Sequence, residues 1–233
     1  MGERNQSLTA MVLKADPIGE ADRRVVLLSA ERGKISAFAR GARRQGSLLM
    51  AATCPFCYGT FAVHFGRSSY YINSAKISDY FAALRASYEA AVYGMYLLEF
   101  ADYCTRENND EAPMLRLLYQ ALQALAAPGA DMAAIRCAYE LKAIALAGEY
   151  PGPPLSDMPL PTSVGEGLAP PAAPGLPAAL AHIAASDPQS LYPLPALAPA
   201  ALGELAAHAA DCRRRFLDRP LRSEKALAEL AKP

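Results

Sequence analysis

Glu31-Arg32-Gly33-Lys34-Ile35-Ser36-Ala37-Phe38-Ala39-Arg40-Gly41-Ala42-Arg43-Arg44-Gln45-Gly46-Ser47 reads as a tight turn, a short alternating strand, and then a loop carrying three arginines. Gly33 can take the positive φ that a tight turn demands. A loop of this kind, projecting from a small sheet, can follow a phosphate backbone without reading bases. The stretch therefore predicts a strand-rich N-terminal unit and makes a nucleic acid the first partner to consider.

Working outward, Ser7 to Lys14 forms a first strand, followed by Asp16-Pro17-Ile18-Gly19 with turn residues where a turn needs them. Arg23-Arg24-Val25-Val26-Leu27-Leu28 is a β-branched and apolar run that leads into the turn at Gly33, and Lys34 to Arg40 is the third strand. Downstream, Phe61, Val63 and Phe65 alternate with Thr60, Ala62 and His64, the period of a half-buried strand. Tyr70 to Ile77 supplies a fifth. Five short strands with Gly-containing turns in about 75 residues fit a small closed barrel. An OB-type barrel is the economical choice, because closure removes exposed sheet edges. An SH3-like barrel fits the same pattern.

The period changes near residue 81. From Leu84 to Tyr103, apolar residues Tyr88, Val92, Met95, Tyr96, Phe100 and Tyr103 recur at helical spacing. Pro113 suits the first turn of a second helix through Leu115, Leu118, Leu122 and Leu125, ended by Pro128-Gly129. Asp131 can cap a third, which stops at Gly148. Residues 151–200 hold 13 prolines and no Lys or Arg, which predicts a Pro/Ala-rich connector with short helical pieces such as Ala178 to Ala185. Helix returns from Pro199 to Phe216, and Ser223 can cap a last short one. The expected class is α+β: a barrel over 1–82 and an all-α domain over 83–233, with the connector at about 151–200.

The chain of 233 residues has no net charge, but residues 1–84 carry 11 basic against 6 acidic side chains and the remainder 12 against 17. That split predicts two modules with different electrostatic tasks, the first facing an anionic polymer or surface. Cysteines 54, 57, 104, 137 and 212 show no disulfide framework, and the first residues lack an apolar signal region. No window reaches the ~20 apolar residues that span a bilayer, and prolines interrupt the alanine-rich C-terminal half, which comes closest. A soluble intracellular protein with reduced thiols is expected, with no membrane association.

Arg23, Arg24, Lys34, Arg40, Arg43, Arg44 and Arg67 all fall on strands or loops of the barrel. Small barrels bind single strands through a cationic groove with aromatic stacking platforms. Phe38, Tyr58, Tyr70 and Tyr71 are available for stacking, and strand alternation turns part of this set inward. Phe38 and one of Tyr70 or Tyr71 are the outward candidates, while Lys34, Arg40, Arg43 and Arg44 are expected to carry most of the phosphate contact. In the helical domain, an amphipathic groove rimmed by Arg106, Arg116 or Arg136 could take an acidic peptide with an apolar end. Cys54-Pro55-Phe56-Cys57 lacks the further ligands a zinc site needs and the helix N-terminus that activates a redox dithiol, so it reads as small apolar packing at the barrel edge. Glu99 and Asp102 read as a solvated helix face, and His64 lies on the outer or ligand face of its strand. No P-loop, dinucleotide fingerprint or catalytic His constellation is present, so no enzyme activity and no cofactor are expected.

Taken in order, these features resemble the RecO family of bacterial recombination mediators. The residues that carry the likeness are Val12-Leu13-Lys14, Gly19-Glu20-Ala21-Asp22-Arg23, Glu31-Arg32-Gly33-Lys34, Ala39-Arg40-Gly41-Ala42-Arg43-Arg44 and Pro55-Phe56. Tyr96-Leu97-Leu98-Glu99-Phe100, Tyr139-Glu140-Leu141-Lys142 and Arg219-Pro220-Leu221-Arg222-Ser223 continue it through the helices. The resemblance implies an N-terminal OB-fold and a helical domain. It further implies binding of single- and double-stranded DNA, annealing of complementary strands, and recombinase loading on strands coated by single-strand-binding protein (SSB). RecR and the acidic C-terminal tail of SSB are the implied partners, and a cytoplasmic, nucleoid-associated location follows. Many members carry a four-cysteine zinc module after the third helix. Residues 149–200 here contain no cysteine, so no zinc is expected. The rival reading is an adaptor whose barrel binds a peptide instead of nucleic acid, and a thiol redox enzyme would rest on Cys54 and Cys57 alone.

Overall fold

A computed structural model gives the fold over residues 5–152 and 175–230. Strands β1 (Asn5–Ile18), β2 (Asp22–Ser29), β3 (Gly33–Ala39), β4 (Tyr58–Phe65) and β5 (Tyr70–Asp79) close into an OB-fold barrel in the order β1-β2-β3-β5-β4. Only β3 and β5 pair in parallel, through Ala37–Tyr70 and Phe38–Tyr71. β1 closes the barrel because it is long. Its first half pairs with β4 and its second with β2, with a bulge between Val12 and Lys14. The strand therefore continues through the expected turn at Asp16-Pro17. Pro17 sits opposite Arg23 near the end of the ladder, where a missing N–H is tolerated, and the chain reverses one step later at Gly19, φ +53°.

Val12, Leu27, Ile35, Phe61 and Val63 fill the barrel. Met11, Leu13 and Leu28, on the other face of β1 and β2, belong to the helical core instead. Burial on both faces is why these two strands read as continuous apolar runs. Helix α1 (Leu49–Ala52) lies between β3 and β4, with Leu49 packed on the barrel core. One helical turn is too short to show a period, and the sequence gives no sign of it.

The helices among the described residues are then α2 (Ala82–Ala86), α3 (Tyr88–Cys104), α4 (Ala112–Ala126), α5 (Met132–Leu146), α6 (Leu176–Ala185), α7 (Pro199–Phe216) and α8 (Glu224–Leu230). Pro113 stands in the first turn of α4, and Asp131 caps α5 by accepting from Ala134 N at 3.0 Å. Tyr96, Phe100 and Tyr139 are fully buried between α3 and α5. From the Pro/Ala-rich segment, α6 buries Leu176, Leu180 and Ile183 in this same core, and Tyr192 donates to Ile135 O at 3.1 Å. The rest of that segment, 153–174, lies outside the described residues.

One buried carboxylate ties three helices. Glu140 on α5 has no exposed surface and accepts from Tyr96 Oη at 2.6 Å and from Arg213 Nη1 of α7 at 2.9 Å. Burial pushes its carboxyl up, and the Arg213 guanidinium opposes that shift. A second carboxylate fastens α8. Glu99 accepts from Arg222 N, Ser223 N and Ser223 Oγ at 3.0, 2.8 and 2.6 Å. Glu99, expected on a solvated face, thus ties α3 to the start of α8, where Ser223 stands immediately before Glu224.

The barrel and helices meet at two tight places. Phe56, held at φ +72°, packs against α3 where Gly94 leaves room, and a Cβ there would lie 2.9 Å from its ring. Gly33, φ +64°, is pressed against the Arg106 carbonyl, and Lys34 N donates to that same oxygen at 2.9 Å. Asn108 N completes the joint by donating to Arg32 O at 3.0 Å.

Candidate nucleic-acid interface

Alternation on β2, β3, β5 and β4 turns every second residue outward, and the strand register sets those residues side by side. Arg24 pairs with Phe38, Phe38 with Tyr71, Tyr71 with His64 and His64 with Asn5. The result is one row across the barrel wall. Phe38 and Tyr71 have ring centroids 5.8 Å apart, and His64 stacks on Tyr71 at 5.2 Å with 17° between planes. The Arg40 guanidinium lies 4.5 Å from the Tyr71 centroid, within cation–π range. His64 Nδ1 donates to Asn73 Oδ1 at 2.8 Å, and Asn73 donates onward to Asn5 at 3.1 Å. These two bonds fix the imidazole plane against Tyr71.

Of the aromatic candidates, Phe38 and Tyr71 face out. Tyr70 packs against the barrel core and Tyr58 packs at a tilt on Tyr119 of α4, centroids 4.7 Å apart, so both are structural. The sequence reading placed His64 on this face but did not join it to the stack. The short hairpin makes β4 and β5 neighbours, and its register sets His64 opposite Tyr71.

The register places the loops 19–21 and 40–48 at one end of the barrel and the 66–69 hairpin at the other, on the side of the 30–32 turn, with the row running between them. In OB-folds the β2–β3 face and the β1–β2 and β4–β5 loops are the usual places for oligonucleotides. Arg40, Arg43 and Arg44 are exposed on the first rim and Arg67 on the opposite hairpin. Arg43 also braces the rim, with Nη1 donating to Gly19 O at 3.1 Å and its backbone N to Ala21 O at 2.8 Å. Arg24 donates to Ser36 Oγ at 2.8 Å across the strands. Among the described residues no carboxylate forms an ion pair with Arg24, Arg40, Arg43, Arg44 or Arg67.

Two other basic candidates are committed elsewhere. Lys34 points away from the rim into the junction, pairing with Asp102 Oδ1 at 2.9 Å and donating to the Asp102 carbonyl in the last turn of α3. Arg23 donates to Met50 O at 2.7 Å and Thr53 Oγ1 at 2.9 Å, fastening α1 to the barrel. The stretch 31–47 therefore divides. Its Gly33-Lys34 end is buttressed by the helical domain, and its Arg40–Ser47 end is free to meet a ligand.

The three arginines expected around a helical-domain groove do not converge. Arg106 Nη1 folds back on the carbonyls of Tyr103 and Thr105, at 2.6 and 3.0 Å. Arg136 lies 3.5 Å from the buried Glu140, and Arg116 is exposed on α4. An apolar groove of about 590 Å³ lies between α3, α8 and β1, with Val92, Met95 and Leu98 in its lining, and none of these three arginines lines it. Its basic rim is Lys14, Arg219 and Arg222. The neighbouring acids are occupied, Asp102 by Lys34 and Glu99 by the start of α8. For Glu99, burial works against the charge, but the Ser223 and Arg222 bonds outweigh it and hold the carboxyl below the usual range.

Cys57 is buried, and burial pushes its thiol up. Among the described residues no group of three or more His, Cys, Asp or Glu side chains is arranged to hold a metal ion. No helix among them is long and apolar enough to cross a membrane.

Comparison with known proteins gives two adjoining family matches. Residues 4–81 match the family model described as Recombination protein O N terminal, and residues 85–152 match Recombination protein O C terminal. A DNA repair protein RecO from Anaeromyxobacter sp. is 36% identical over 185 residues, covering 74% of this chain and 72% of the relative. The DNA repair protein RecO of Alkaliphilus metalliredigens is 34% identical over 140 residues, covering 60% of this chain. That of Exiguobacterium sp. is 32% identical over 146 residues, covering 63%. The chain spans under three-fifths of the length of these last two relatives, 57% and 58%.

Proposed function

We propose that this chain, which belongs to the RecO family of DNA repair proteins, binds single- and double-stranded DNA along the outer row and rim of its barrel. The observation that carries the reading is the row Arg24–Phe38–Tyr71–His64, with Arg40 over Tyr71 and, on the adjoining rim, arginines that meet no carboxylate among the described residues. Guanidiniums neutralise phosphates and release counterions, while the rings offer flat faces to bases, so binding is salt-sensitive and sequence-tolerant. Strands held by their backbones keep base edges available, and screening of their mutual repulsion favours annealing. No covalent step is needed. In this reading the protein acts with RecR to help load recombinase on SSB-coated strands.

The test is a titration of fluorescently labelled single-stranded DNA over a salt series. Alanine at Arg40, Arg43, Arg44 and Arg67 together is expected to flatten the slope of log K against log salt by about 3, at roughly 0.7 per lost phosphate contact. Unchanged affinity and slope in that variant would refute the reading and favour a barrel that binds a peptide.

The α3–α8 groove supports a second contact, with the acidic, apolar-ended tail of SSB. Val92, Met95 and Leu98 would take the apolar end, and Lys14, Arg219 and Arg222 the carboxylates. A labelled tail peptide should lose most of its binding when Arg219 and Arg222 become Glu, and keep it when Arg106 and Arg116 do.

A further inference from the structure

Three exposed large apolar side chains share the barrel rim: Ile18, Met50 and Leu48, the last 94% exposed. Single exposed leucines are ordinary on protein surfaces. Leu48 differs because the loop that carries it is built. Three successive turns run into one another, with Arg44 N donating to Gly41 O at 3.0 Å, Ser47 N to Arg44 O at 3.1 Å and Met50 N to Ser47 O at 3.0 Å. One end is pinned by Arg43 to the 19–21 loop, and the other by Arg23 to Met50 O and Thr53 Oγ1. Leu48 is thereby held outward in helical conformation, φ −62° and ψ −24°, at the mouth of α1. Its side chain contributes nothing to the core, so its fixed projection needs another account.

The surroundings identify the ligand chemistry. Arg43 and Arg44 precede Leu48 on the same loop, and the Phe38–Tyr71 face lies on the adjoining wall. Guanidiniums around an apolar tip suit a polymer that is anionic outside and flat and apolar within. Small apolar side chains placed this way insert between base steps and unstack them. We propose that Leu48 is a wedge that enters the base stack of DNA lying on the rim, while Arg43 and Arg44 hold the flanking phosphates. The proposal rests on the DNA-binding reading above and adds the residue that opens the bases for pairing.

The experiment uses the full chain and oligonucleotides carrying 2-aminopurine, whose fluorescence rises when it is unstacked. Saturating wild-type protein should raise the signal at a probe within the bound tract. Leu48→Ser should still bind, with affinity lower by up to about tenfold, yet lose that rise at saturation. Arg44→Ala should weaken binding but keep the rise once saturated. Leu146→Ser, an exposed leucine at the end of α5, serves as the control expected to match wild type. Since Leu48 touches no core, its melting temperature should not change. A Leu48→Ser signal equal to wild type at saturation overturns the wedge. So does wild-type binding without any fluorescence change, which leaves the DNA-binding reading standing. Absence of wild-type binding at low salt removes both. If sedimentation shows that Leu48→Ser only dissolves a self-association, the surface belongs to a second copy of the chain and the wedge is wrong.

Discussion

Lys34→Met tests how the 31–47 stretch divides. Lys34 Nζ has two partners on α3, the Asp102 carboxylate at 2.9 Å and the Asp102 carbonyl at the negative end of the helix. Its side chain is 23% exposed and that of Asp102 is 36%, so the pair is partly shielded. An exposed pair contributes about 0.2–1 kcal/mol and a cation at a helix C-terminus about 0.3–1 kcal/mol, so a loss of roughly 0.5–2 kcal/mol is expected. For a chain of this size each kcal/mol moves the melting temperature by about 2–4 °C, giving a fall of roughly 1–8 °C. Because the ammonium is directed at α3, the salt dependence of DNA binding should stay as in wild type. Calorimetry and a salt-series titration on the same preparation read both quantities. A slope shallower by about 0.7 with an unchanged melting temperature would show that Lys34 contacts phosphate, and the assignment of the junction would fail.

Other perturbations probe the rest of the scaffold. Glu140→Leu leaves Arg213 and Arg136 without their buried partner and should destabilise the helical domain by about 3–5 kcal/mol, read by chemical denaturation; a neutral effect would mean the pair is dispensable. Glu99 has a lowered carboxyl pKa in the folded chain, so its contribution is fully present above its ordinary unfolded value and is lost as pH falls through the lower folded one. Stability of wild type minus that of Glu99→Gln should therefore be constant near neutrality and shrink only in acid, and a difference that persists at strongly acid pH would contradict this. At Gly59 a Cβ would meet Ile77 Cα at 2.7 Å across the β4–β5 ladder, so Gly59→Ala should destabilise the barrel, visible as early loss of amide protection in β4 and β5 on hydrogen exchange.

The strands and long helices were legible because their signals are local. Alternation in β3 and β4, Pro113 in the first turn of α4 and the Asp131 cap all act within a few residues. What escaped depends on partners distant in sequence. Lys34 looks like any strand lysine until α3 arrives 68 residues later, and Glu99 looks solvated until α8 arrives 123 residues on. The stacking platform was half visible for the same reason. Phe38 and Tyr71 were both candidates, but only the parallel pairing of β3 with β5 chooses Tyr71 over Tyr70. Of the three helical arginines, Arg136 meets Glu140 one turn along α5, a contact within reach of sequence spacing, whereas the lining of the α3–α8 groove depends on segments more than a hundred residues apart.

The same bookkeeping explains how a chain without net charge can offer a cationic surface. Its acidic excess lies in the helical half, and there the carboxylates are largely consumed. Glu140 meets Arg213, Glu99 holds α8, Glu111 accepts from Arg106 N, Asp131 caps α5, and Asp211 pairs with Arg214 and Arg215. The barrel's rim arginines face no such partners among the described residues. With a screening length near 8 Å at physiological salt, the field at the rim is set by these local groups and not by acids packed into distant helices. A rim variant such as Arg44→Glu should thus weaken DNA binding more than the same change at Arg214, although both alter net charge equally. Equal losses at the two positions would mean that global charge governs association, and the rim would then hold no special claim to the phosphate backbone.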